Sequence, residues 1–304
     1  MTSPATSMDA LQVALATPGT FALLHHDPVV PGKPFTLNGY RARCAADKPP
    51  VVFVQHGVMR NGDEYRDYWI DAAEKYGLVI VACTFSEEQW PDIQSYNNGD
   101  IRSGEHPSGT TDLAATSYAC VQRVIQRISA TGCVDTTRMY LFGHSAGSQF
   151  VHRYMGVCGP TGLAGAVAAN AGWYTLPDTA QPFPAGWLDT GVSDHDISRM
   201  LSYPLQVFAG CRDNDPNAPH LPNEPAAKVQ GPTRFDRAHY FYEYARQQAQ
   251  QRGVSYAWTL HEIPEVAHDG CLMSHVAAEF WFGSGIPDAA VLARMAAAAA
   301  SFTA

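Results

Sequence analysis

The stretch Leu141–Phe150, LFGHSAGSQF, constrains this chain more than any other. An apolar run, Arg138 to Phe142, stops at a pentapeptide with glycine at both ends, Gly143-His144-Ser145-Ala146-Gly147. A helically spaced segment follows at once. Glycine is needed where a strand turns so tightly into a helix that side chains would strike the neighbouring elements. Such a turn belongs to a βα unit, and βα units build parallel sheets. The same turn can hold a serine up as a nucleophile, with the next helix pointing its positive end at any charge that develops there.

The rest of the chain repeats that rhythm. Val51–Val54, Leu78–Cys83, Arg138–Phe142, Leu163–Ala169, Leu205–Ala209 and Tyr256–Leu260 read as strands. Asp63–Tyr76, Asp112–Ser129, Ser148–Val157, Phe235–Gln251 and Ser274–Phe282 read as helices, with Gly77 and Gly253 as stops. Near-continuous apolar strands alternating with helices predict an α/β fold, a mostly parallel sheet covered on both faces. No linker or repeat divides the chain, so residues 1–304 read as a single domain. The proline-bearing stretch 175–203 reads as a short cap excursion over the sheet's carboxyl edge, and the Ala-rich tail after Pro287 as a docked helix.

Charge and cysteine content narrow the function classes. The formal net charge is −9 and Lys and Arg do not cluster, which argues against nucleic acid or an anionic membrane surface as partner. No apolar run is long enough to span a bilayer. The first residues lack a basic segment followed by an apolar one, and the seven cysteines are odd in number with no CxxC pair. Together these predict a cytoplasmic protein with mostly buried thiols. Cys211 and Cys271 flank two loops of interest. Either two free thiols or a disulfide between them is compatible with the sequence.

A serine hydroxyl needs a base, and the base needs an orienting acid. Downstream of Ser145 the strand Leu205–Ala209 runs into Gly210-Cys211-Arg212-Asp213-Asn214-Asp215. The last strand, extended to Ile263, runs into Pro264-Glu265-Val266-Ala267-His268. The order nucleophile, acid, base, each just past a strand, makes Ser145, Asp213 and His268 a candidate triad. Asp215 is the rival acid on the same loop; His261 falls inside the strand pattern. Asp213, Asp215, Asn217 and Glu224 mimic the spacing of a calcium loop, but Ala218 stands where glycine is required and prolines interrupt the flanks. No histidine pair has zinc spacing, so no metal or other cofactor is expected. Acyl transfer also needs N–H donors for the oxyanion. The amide of Ala146 is one candidate; that of Val58, in the His56-Gly57-Val58 turn after the first strand, is the other, with Met59 second.

With these motifs the chain resembles the α/β-hydrolase fold serine hydrolases over roughly Pro50 to Phe282. Within them it is similar to bacterial esterases of the poly(3-hydroxyalkanoate) depolymerase and feruloyl-esterase-like group. The residues that carry this are His56-Gly57 with Arg60-Asn61, Tyr65 and Trp69 downstream, and Trp90-Pro91 with Tyr96-Asn97. The resemblance implies cofactor-independent hydrolysis of carboxylic esters through an acyl-enzyme. Trp90, Tyr96, Trp173, Tyr174, Phe183 and Trp187 fall on loops at the carboxyl edge and are candidates for an acyl cleft. Trp173, Tyr174, Trp90 and His144 are the substrate-binding candidates carried forward. An apolar or aromatic ester, or a polyester oligomer, suits such walls. A peptidase, an acyltransferase and a non-catalytic binding protein of the same fold remain alternatives.

Overall fold

The strand Val51–Gln55 shows how the core arises. All its residues are buried. Val51 and Phe53 enter one apolar cluster, while Val52 and Val54 enter another on the opposite face. A strand apolar on both faces has to be covered on both. The computed structural model describes residues 9–101 and 112–302 and shows that arrangement throughout.

The strands are β1 (Gly19–His25), β2 (Phe35–Arg41), β3 (Val51–Gln55), β4 (Val79–Thr84), β5 (Met139–His144), β6 (Gly165–Ala169), β7 (Leu205–Gly210) and β8 (Thr259–Ile263). They form an 8-stranded sheet in the order β1-β2-β4-β3-β5-β6-β7-β8. From β4 to β8 every pairing is parallel, and β1 and β2 add an antiparallel edge.

In chain order the helices are α1 (Ala10–Ala16), α2 (Gly62–Asp67), α3 (Ile70–Tyr76), α4 (Asp92–Ser95), α5 (Ser117–Ala130), α6 (Ala146–Val157), α7 (Asp194–Ser202), α8 (Pro225–Val229), α9 (Arg234–Arg252), α10 (Gly270–Phe282) and α11 (Ala289–Phe302). Helices α1, α5, α6, α7 and α9 cover one face. The other is covered by α2, α3, α10 and α11. Because β3, β5, β7 and β8 are parallel, their carboxyl ends open on one edge of the sheet, where α/β folds place their ligands.

Three features differ from the sequence expectation. The antiparallel edge was not foreseen. The single helix expected over Asp63–Tyr76 is two, α2 and α3. The break between them seats Trp69, wholly buried, with its ring 5.3 Å from that of Phe142 and 6.2 Å from that of Trp281. The stretch 175–203 divides: its last part is α7, whose Ile197, Met200 and Leu201 belong to the core, and only the part before Ser193 crosses the edge without regular structure.

Candidate active site

The turn between β5 and α6 sets the position of Ser145. Its backbone is held at φ 58°, ψ −116°, outside the usual regions for a side-chain-bearing residue. Strain of that kind costs about 1–3 kcal/mol and persists only where the surroundings impose it. They do so here. A Cβ on Gly143 would overlap the backbone of Gly147, and one on Gly147 would overlap the Gln55 carbonyl at the end of β3. The Ser145 amide donates to the Ala169 carbonyl at 3.0 Å, tying the turn to β6.

The loops after β7 and β8 bring the other two groups to it. His268 Nε2 lies 3.0 Å from Ser145 Oγ. Its Nδ1 lies 2.7 Å from Asp213 Oδ2. With Nδ1–H donating to the carboxylate, Nε2 is free to accept the serine proton. Asp213 is buried, whereas Asp215 is exposed and accepts the Asn217 amide at 2.8 Å within its own turn. Asp213 thus has the contact with the imidazole that Asp215 lacks.

A third partner was not visible in the sequence. Arg234, at the start of α9, places Nη1 3.3 Å from Asp213 Oδ1, with both side chains almost wholly buried. Its Nη2 donates to the Pro219 carbonyl at 2.9 Å. The carboxylate is therefore held between a guanidinium and an imidazole. Cations are disfavoured at a helix N-terminus, so helix patterning offers no hint of this residue.

Val58 and Ala146 line the same chamber as Ser145, and their amides are the expected oxyanion donors. Neither has a hydrogen-bond acceptor among the described residues. The Val58 turn is braced from below. His56 Nδ1 bonds the Gly57 carbonyl at 2.9 Å, His56 Nε2 accepts the Phe85 amide at 3.1 Å, and the Tyr96 hydroxyl donates to the His56 carbonyl at 2.8 Å. Burial lowers the His56 pKa to about 3, so the ring is neutral and acts as a strut.

Ser145 sits between two chambers. The larger, about 540 Å³, is lined mainly by apolar groups such as Ile93, Trp173, Phe183, Pro222 and Pro225, with Asn97 and Gln149 among them. The smaller, about 250 Å³, is lined by Met59, Asn61, Tyr68, His144, His220 and His268, among others. Val58, Ser145 and His220 line both.

The sequence candidates for substrate contact separate at this point. Trp173 lies on the wall of the larger chamber and His144 on that of the smaller. The His144 ring lies 4.6 Å from that of His268, and its Nδ1 is 2.9 Å from the Tyr65 hydroxyl. Burial, followed by the fields of His268 and Arg234, pushes its pKa well below the usual histidine value, so it stays neutral beneath the relay.

Trp90 and Tyr174 line neither chamber. Trp90 donates its indole N–H to the Pro34 carbonyl at 3.2 Å and packs edge-on to Phe85. Tyr174 stacks on Phe241 at 4.3 Å, and its amide donates to Gln230 Oε1 at 2.9 Å. Both are wholly buried, as are Tyr96 and Trp187, because large rings on short loops gain more from the core than from a cleft. Gln149, Asn97, His220 and Glu224 were missed. Two carried a signal: Gln149 stands one helical turn beyond Ser145, and Asn97 lies in the Tyr96-Asn97 pair already noted.

Similarity to known structures follows the geometry. The chain is 44% identical to LpqC, a poly(3-hydroxybutyrate) depolymerase from Bordetella parapertussis, with a TM-score of 0.89 over 94% of this chain and 98% of that one. The chain belongs to the α/β-hydrolase family. This α/β-hydrolase is also 33% identical to poly(aspartic acid) hydrolase-1 from Sphingomonas sp. KT-1, with a TM-score of 0.80 over 87% of this chain and 99% of that one. S-formylglutathione hydrolase from Agrobacterium tumefaciens shares the fold, with a TM-score of 0.56 at 14% identity over 89% of this chain and 97% of that one. No protein-family model and no curated protein matches the chain. The α/β-hydrolase is a carboxylic ester hydrolase.

Among the described residues no cluster of His, Cys, Asp or Glu could hold a metal ion, and no helix is long and apolar enough to cross a membrane. All seven cysteines, Cys211 and Cys271 included, are free thiols.

Proposed function

We propose that this α/β-hydrolase cleaves esters of apolar or aromatic acyl groups, polyester oligomers included, through Ser145, His268 and Asp213. His268 Nε2 takes the Ser145 proton as Oγ attacks the ester carbonyl. The Val58 and Ala146 amides hold the oxyanion. The imidazolium, steadied by Asp213, passes its proton to the departing alkoxide. Water then repeats the sequence on the acyl-enzyme and regenerates the serine.

The observation that carries this reading is the continuous pair of contacts, Oγ to Nε2 at 3.0 Å and Nδ1 to Oδ2 at 2.7 Å, from three loops distant in sequence. The apolar lining of the larger chamber supports the acyl class. Among the described residues the only carboxylate on either chamber's wall is Glu224, and no Lys or Arg lines them. That favours neutral esters over polyanions such as poly(aspartic acid). The edge-crossing part of the 175–203 cap supplies one wall through Pro182, Phe183, Pro184 and Ala185.

Replacing Ser145 with alanine is expected to lower p-nitrophenyl butanoate hydrolysis by about 10⁴-fold or more with an unchanged circular dichroism spectrum. Turnover retained by the folded Ser145→Ala protein would remove the nucleophile assignment.

A further inference from the structure

The imidazole of His268 stands on the loop between β8 and α10, with its side chain 29% exposed. Two hydrogen bonds hold it, one at each ring nitrogen. They define a single axis through the ring, and tilt about that axis is resisted only by what packs beside it. A displacement of about 1 Å in a reacting group can cost about 100-fold in rate.

The ring beside it is that of His144, 4.6 Å away between centroids with the planes at 40°. Nε2 of His144 has no partner among the described residues, and its Nδ1 meets the Tyr65 hydroxyl at 2.9 Å. Both side chains are buried. Burial raises the pKa of the phenol and lowers that of the imidazole, so one keeps its proton and the other stays neutral. Either tautomer of His144 then satisfies the bond.

The Tyr65 oxygen sits at a junction. A Cβ on Gly57, in the turn before Val58, would lie 2.8 Å from it. One on Gly270, just past His268, would lie 2.9 Å from it and 3.1 Å from His144 Nδ1. Tyr65 itself belongs to α2, and His144 adjoins Ser145 at the end of β5. This one hydrogen bond lies where the Val58 turn, the Ser145 turn and the His268 loop come together.

Resting on the triad reading above, we infer that Tyr65 and His144 are positioning residues, a floor that holds the His268 ring at the tilt where Nε2 meets Ser145 Oγ. Neither gives or takes a proton in the reaction. Tyr65 acts through His144, and His144 through His268.

Both residues also line the smaller chamber, so an ester alone cannot separate positioning from contact with the alcohol. A fluorophosphonate can. Oγ attacks phosphorus, the serine proton passes to His268 Nε2, and the P–F bond breaks to release fluoride, so no alcohol enters that chamber. Tyr65→Phe, which deletes one oxygen, should slow phosphonylation of Ser145 by about tenfold. It should lower kcat for p-nitrophenyl butanoate by the same factor while KM stays within about twofold. His144→Gln should slow both reactions at least as much. The double variant should be no slower than His144→Gln, because the two residues act in series. Circular dichroism reports folding of each variant. Native phosphonylation rates in either folded single variant overturn the floor, as do losses confined to KM or losses that multiply in the double variant. A native enzyme that no fluorophosphonate labels strikes the triad reading instead.

Discussion

The two chambers beside Ser145 differ in size and in chemistry. The larger, about 540 Å³, is walled chiefly by proline, aromatic and aliphatic side chains, and His268 takes no part in it. The smaller, about 250 Å³, is lined by His144, His220, Asn61 and Tyr68, and His268 is on its wall. In the proposed mechanism His268 is the proton donor for the departing alcohol, and it lines only the second. On that reading the alcohol side of an ester belongs in the small polar chamber, and the acyl side in the large apolar one. Position of the base, more than volume, assigns the two.

The strongest challenge to this division comes from the relay. Replacing Asp213 with asparagine should lower kcat by about 10⁴-fold, because the imidazole is then held in the wrong tautomer to serve the small chamber. Steady-state hydrolysis of butanoate esters measures it, and a loss under tenfold would separate the base from its acid. Next in size is Arg234→Met. Taking one partner from a buried pair costs about 3 kcal/mol or more of stability. Urea unfolding reads that loss, and an unchanged midpoint would show the pair to be idle.

The walls themselves can be exchanged. Ala226→Phe narrows the larger chamber and should lower kcat/KM for octanoyl relative to acetyl esters by about tenfold, on the order of the worth of one or two methylenes. Met59→Trp crowds the mouth of the smaller chamber and should act on bulky alcohols instead. If Ala226→Phe altered alcohol selectivity and Met59→Trp altered acyl selectivity, the assignment of sides would be reversed.

The smallest effect concerns pH. Burial holds the His144 pKa well below its ordinary value, and His56 and His152 are depressed by burial in the same direction. The unfolded chain then binds more protons as pH falls, so the stability these neutral rings contribute is complete above about pH 6.5 and declines below it. Between pH 7 and 6 each histidine should cost about 0.7 kcal/mol, seen as a lower urea midpoint. His144→Gln should make that slope shallower; a slope as steep as the native one would place His144 outside the buried, neutral set.

What could be read from the sequence follows the physics of each signal. The strand that ends in Gly143-His144-Ser145-Ala146-Gly147 is legible because only glycine fits where the turn meets Gln55. Asp213 and His268 are legible because parallel strands deliver their loops to one edge. The strand β2 is not, since it buries Asn38, Gly39 and Arg41. Asn38 donates to Thr84 Oγ1 at 2.7 Å and Arg41 to the Leu15 carbonyl at 2.8 Å, partners that no periodicity reveals. Gly39 is there so that the Phe21 ring of β1 can lie over it. Loop aromatics are equally opaque. Trp173 faces the cleft and Tyr174 the core, and adjacent positions in a loop carry no marker of which way each turns.

The segment from Asp213 to Glu224 does two things at once. It carries the acid of the relay, and through Pro219, His220, Pro222 and Glu224 it forms walls of both chambers. Arg234 and Arg237 staple it to α9 through the Pro219 and Pro222 carbonyls. A loop exchange made there to broaden the range of esters would disturb turnover along with fit. The wall formed by Pro182 to Ala185 has no hydrogen bond to Ser145, His268 or Asp213 among the described residues. Selectivity can diverge on that side, by drift or by directed evolution, while the rate-setting groups stay where they are.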